Sequence, residues 1–134
     1  MGSPVGTTWI FTVHGTPKTK RGADKGRGGQ MHPDSGTTAY EQTVAGAAAE
    51  AGLAAGSGPC SVSVDVYLPT RKVKDADRVL SAIFDGMKRA GKAALADDSL
   101  MVIQDVRVRL AGIDRLRPRA EVCVAMIDGI DTGE

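Results

Sequence analysis

The sequence predicts an α/β domain of the α+β kind, a mixed β-sheet with two main helices in the order β-α-β-α-β-β. Three observations carry that expectation. The stretch "SVSVDVYL" (residues 61–68) alternates Val62, Val64, Val66 and Leu68 with Ser61, Ser63, Asp65 and Tyr67, the period of two that a strand requires. In "DADRVLSAIFDGM", Val79, Leu80, Ile83, Phe84 and Met87 recur at helical spacing, giving one apolar face. Near the end, residues 100–110 and 119–127 both alternate and are joined by the turn-rich "AGIDRLRP", so they read as an antiparallel hairpin.

The remaining elements follow in order. "TWIFTVH" (residues 8–14) alternates Trp9, Phe11 and Val13 with Thr8, Ile10 and Thr12 and is expected to form the first strand. Residues 15–36 show no periodicity and read as a basic, glycine-rich loop; a loop of that length within a small domain is usually functional or disordered. Thr38 and Glu41 make a capping box ahead of an alanine-rich run, predicting a first helix over about 38–52. Pro69 closes the second strand, and the second helix runs from near Asp75 to at most Gly91.

A chain of 134 residues without repeats or a second composition regime predicts a single domain, large enough to bury one core unaided. Its 42% hydrophobic and 25% charged residues are those of a soluble globular protein, and no apolar run approaches the roughly 20 residues that span a bilayer. Cys60 and Cys123 stand alone, with no apolar leader ahead of them, so a cytoplasmic protein with two thiols is expected.

The net charge of +1 hides a segregation. "PKTKRGADKGR" holds five basic residues against one acidic, and "RKVK" (residues 71–74) three more. Such runs can be solvated loops, or an arm for a phosphate backbone. As an arm they offer Lys18, Lys20, Arg21, Lys25 and Arg27, with Lys72, Lys74 and Arg78 further on.

Asp75 and Asp77 crowd the start of the second helix. One aspartate there is explained by capping and the helix dipole; the second is not. In extended backbone their two-residue spacing directs both carboxylates to one side, where they can share a hard cation. Asp97 and Asp98 taken alone are turn formers. A helix whose chain returns through a short loop can bring both pairs together as an oxygen-ligand cluster suited to Mg²⁺ or Mn²⁺, which fits phosphodiester hydrolysis.

These motifs resemble the RusA-type Holliday junction resolvases of bacteria and phages. "DADRVLSAIFDGM" is similar to the family's helix beginning D-x-D-N, "DDSLMV" to its D-D-[SA]-x-[VI] element, "TVHGTPKTKRG" to the segment after its first strand, and "TTAYEQTV" to its first helix. The resemblance spans about residues 9–127. It implies a homodimeric, Mg²⁺-dependent endonuclease that nicks four-way DNA junctions in pairs during recombination and repair. By position, Asp75, Asp77 and Asp98 are the implied metal ligands and Asp97 a helper, with Lys18, Lys20 and Arg21 on DNA. Arg78 and Ser81 stand where the family carries Asn and Lys, so Lys74, Arg78 or Lys88 is expected to replace that lysine.

The competing expectation is a non-catalytic protein that binds branched DNA through a decayed nuclease site. "GMKRAGKA" misses the phosphate-binding loop, since Ala93 lacks the hydroxyl that holds Mg²⁺, and His14 and His32 lack zinc spacing.

Overall fold

A computed structural model describes residues 4–18, 24–25, 31–32, 35–72 and 74–130. Strand β1 is Thr8–His14, and a small ribbon pairs β2 (Asp24–Lys25) with β3 (Met31–His32). Helix α1 is Ser35–Glu50, β4 Cys60–Leu68, α2 Ala76–Arg89, β5 Ile103–Ile113 and β6 Arg119–Met126. The ribbon aside, this is the expected order.

The neighbours in the sheet differ from expectation. The strands lie in the order β1-β6-β4-β5, with β6 antiparallel to both β1 and β4, and β5 parallel to β4. The expected hairpin of the last two strands therefore does not form: β4, α2 and β5 make a β-α-β unit, and residues 114–118 carry the chain past the end of β4 to β6. Burial accounts for the choice. Ala120, Val122 and Val124 of β6 are fully buried, which suits a strand flanked on both sides. Strand β5 carries Asp105, Arg107 and Arg109, charges that an edge keeps in water.

Three rows cross the helix-facing side of the sheet: Trp9, Val124, Val62 and Val106; Phe11, Val122, Val64 and Val108; and Val13, Ala120, Val66 and Leu110. Their buried members, together with Val44 and Ala48 of α1 and Val79, Ile83 and Met87 of α2, make the core. Apart from the half-buried Trp9, each row is buried until it reaches β5. Val66 is 6% exposed but its neighbour Leu110 is 59% exposed, because α2 packs on α1 and touches β5 only slightly.

Helix α1 begins three residues before the expected Thr38, so the capping box does not form. Glu41 lies buried within the helix, and its carboxylate receives the Arg89 Nε–H at 2.8 Å, since a buried charge needs a partner. The helices touch at Gly86, where a Cβ would overlap the Val44 side chain. Helix α2 stops at Arg89, and Gly91 follows at φ +117°, a conformation that favours glycine.

The opposite sheet face is polar. Arg109 donates twice to Asp65, its cross-strand neighbour, at 2.8 and 3.2 Å. Arg119 stacks 3.8 Å from the Tyr67 ring centroid and donates to Asp114 and Glu121. These arginines are thus occupied within the fold.

Candidate metal and nucleic-acid site

Asp75 is the N-cap residue of α2, in extended backbone with φ −75° and ψ 128°, yet its side chain makes no capping hydrogen bond. Its carboxylate faces the Arg78 guanidinium at 3.5 Å, one turn along and exposed, so capping does not explain this aspartate. Asp77 is already in the first helical turn and exposed, where the helix dipole favours a negative charge. The alternation expected of two extended residues therefore does not apply to this pair. The Ser81 hydroxyl donates to the Asp77 carbonyl at 2.9 Å, so this side chain is turned back onto the helix backbone.

The second carboxylate pair lies elsewhere. Asp97 Oδ1 accepts the Asp98 amide at 2.8 Å, a local turn contact. The Asp98 carboxylate meets Lys88 Nζ at 3.3 Å, and the same ammonium meets Asp85 at 3.2 Å. Burial lowers the Lys88 pKa, but the two carboxylates outweigh it and hold the ammonium above its ordinary value. Lys88 is thirteen residues beyond Asp75, about 20 Å of helix axis. Within one chain, Asp98 is thus tied to the end of α2 and the other pair stands at its start. No group of three His, Cys, Asp or Glu side chains gathers to hold a metal among the described residues.

The start of α2 borders a groove of about 490 Å³ at the C-terminal ends of the parallel strands β4 and β5. Its floor includes Val66, Leu110 and Ile113, and its rim Arg71, Lys72 and Lys74. Arg71 and Lys72 are exposed and have no ion-pair partner among the described residues; Lys74 is half-buried. The C-terminal ends of parallel strands are where such sheets take ligands. Sequence reasoning missed this groove, because the exposure of Val106, Leu110 and Ile113 depends on how little α2 covers β5.

Of the basic arm, Lys18 is exposed after β1, and Lys25 lies in the ribbon without a described side chain. Lys20, Arg21 and Arg27 fall outside the described residues.

The donor set at Asp75 and Asp77 is of the right kind for Mg²⁺, which keeps several waters and takes one or two carboxylates together with substrate phosphate oxygens. No helix among the described residues is long and apolar enough to cross a membrane. No protein-family model matches the chain, and no curated protein matches it significantly.

Proposed function

We propose that this protein is a RusA-type Holliday junction resolvase: a homodimeric, Mg²⁺-dependent, structure-selective DNA endonuclease of the cytoplasm that nicks four-way junctions in pairs. The observation that carries it is the adjacency of two exposed carboxylates, Asp75 and Asp77, to a groove rimmed by Arg71, Lys72 and Lys74. Cations at the rim neutralise the phosphate backbone and draw it in. Asp75 and Asp77 would hold Mg²⁺, which when bound supplies charge neutralisation and an activated water for phosphodiester hydrolysis. Arg78, paired with Asp75, orients that carboxylate and offsets its charge in the absence of a cation. The exposure of both aspartates leaves them accessible to a backbone as bulky as DNA.

A second reading, a binder of branched DNA without catalysis, is favoured by one observation: Asp98 stands with Lys88, apart from the other two carboxylates. The test is nicking of a synthetic four-way junction, a matching duplex and a single strand in Mg²⁺, Mn²⁺ or EDTA. Paired, metal-dependent nicks confined to the junction are expected, lost in Asp77→Asn while junction binding in Ca²⁺ persists. Tight binding with no cleavage in either metal would assign the protein to the second reading.

A further inference from the structure

One end of the sheet gathers positive charge. The segments 15–18, 69–75 and 114–118 all leave from it, since His14, Leu68, Ile113 and Arg119 are the strand ends that meet there. They carry Lys18, Arg71, Lys72, Lys74, Arg115 and Arg117 against Asp75 and Asp114. The turn 114–118 is held along its length. The Asp114 amide donates to the Leu68 carbonyl at 2.8 Å, and its carboxylate accepts the Leu116 and Arg117 amides at 3.2 and 3.0 Å. The Arg119 guanidinium donates to that carboxylate and to the Arg117 carbonyl, both at 2.9 Å, and the Gly15 amide donates to the Pro118 carbonyl at 3.0 Å. In the shape so fixed, Leu116 is 90% exposed. It stands between Arg115 and Arg117, both exposed and without ion-pair partners among the described residues. A lone surface leucine is ordinary. One fixed between two unpaired guanidiniums, on the end of the sheet that holds Asp75, presents apolar surface and phosphate ligands together.

We propose that Leu116 is a wedge for branched DNA: its side chain enters the base stack at the branch point while Arg115 and Arg117 hold the phosphates on either side. The inference rests on the nuclease reading above and supplies its selectivity. An apolar side chain inserted between base steps must unstack them, at a cost that falls where the stack is already interrupted. A four-way junction offers that interruption at its centre, and a linear duplex offers none. The turn suits the task because its hydrogen bonds already fix its shape, so binding has little of it left to order. Its place suits the task as well. Running from β5 past the end of β4 to β6, the turn crosses about 10 Å, two strand spacings, beside the segment that leads from β4 to Asp75. A branch point seated on Leu116 sends its strands outward over the same end of the sheet, toward the cations of the groove rim and the two aspartates.

The test is an immobile synthetic four-way junction with the fluorescent base aminopurine beside its branch point, in Ca²⁺ so that no strand is cut. Aminopurine brightens when it is unstacked. The wild-type protein is expected to brighten the junction and to leave a matching linear duplex unchanged. Leu116→Ser is expected to abolish the rise and to weaken junction binding about tenfold, the least that burying a leucine side chain contributes, with duplex binding unaltered. Leu116→Met should restore both. Arg115→Gln and Arg117→Gln should weaken binding to junction and duplex alike, each lowering the salt slope by about 1. Because Leu116 stands in water, substitutions there leave the fold intact, which equal melting temperatures verify. A Leu116→Ser protein that still brightens the junction and still prefers it to duplex overturns the wedge, as does a wild type that binds the junction without brightening it, or binds no DNA. Nicking in Mg²⁺ judges the nuclease reading separately. A wild type that brightens the junction through Leu116 but cuts nothing in any metal keeps the wedge and overturns that reading; junction-confined nicking equal in wild type and Leu116→Ser does the reverse.

Discussion

Lys88 holds Asp98 at 3.3 Å, fastening the loop ahead of β5 to the last turn of α2. The same ammonium reaches Asp85 at 3.2 Å, so removing it releases two contacts and leaves two carboxylates near one another.

Lys88→Gln is therefore expected to destabilise the fold by about 1 kcal/mol or less, the range of a partly exposed ion pair. Because the folded pKa of Lys88 is raised, its contribution is complete below the unfolded value of about 10.4 and disappears as pH climbs through the folded one. Denaturant midpoints of wild type and variant should differ equally at pH 7 and 9 and converge near pH 12. Hydrogen exchange across residues 91–99 should quicken in the variant.

Two helical glycines should respond in opposite directions. At Gly86 a Cβ would overlap Val44 and approach the Glu41 carbonyl at 3.0 Å, so Gly86→Ala is expected to cost about 1–3 kcal/mol despite its better helix propensity. At Gly46 a Cβ meets nothing within 4 Å, and Gly46→Ala should stabilise by up to about 1 kcal/mol. Thermal unfolding of the two variants measures both; equal shifts would contradict the close helix contact.

Asp114 accepts the Arg117 and Leu116 amides and the Arg119 guanidinium, in that turn leading into β6, and these hold its carboxyl below the ordinary carboxylate range. A depressed folded pKa gives stability that is present above the unfolded value of about 3.9 and lost as pH falls through the folded one. Acid unfolding of Asp114→Asn should thus begin from a lower stability at pH 5–7 and lose less between pH 4 and 2 than wild type.

Cys60 is fully buried, and burial pushes its thiol up to about 11. The thiolate is the nucleophile, so iodoacetamide at pH 8 should leave Cys60 unmodified in native protein and alkylate it in denaturant. Mass spectrometry of the two digests decides the matter, and native labelling of Cys60 would mean that the sheet opens readily at β4.

Arg71 and Lys72 stand on the groove rim without carboxylate partners among the described residues. Arg71→Gln and Lys72→Gln should weaken junction binding and each lower the salt slope of binding by about 1 if it meets a phosphate. An unchanged slope in the double variant, read by titration at several salt concentrations, would remove the rim from the DNA interface.

Local chemistry was legible where a single segment carried it. The limits of β1 match the alternation of "TWIFTVH" residue for residue, and β4 and α2 match to within a residue or two, because period two and period 3.6 report which side each residue must bury. The start of α1 was misjudged since Thr38 and Glu41 satisfy a capping pattern, while the buried Glu41 is claimed by Arg89, forty-eight residues away. The groove went unseen because nothing within β5 tells that α2 stops short of it.

By itself the sequence determined the order of elements, the inward face of β1, β4, β6 and α2, and the acidic start of α2 beside a basic run. Only the tertiary structure decided that β6 enters between β1 and β4, that β5 becomes a bare edge, and that Asp98 pairs with Lys88 rather than joining Asp75 and Asp77. The division is physical. Periodicity records the side of an element that leaves water, whereas strand neighbours and charge partners are chosen by burial shared among segments far apart in the chain.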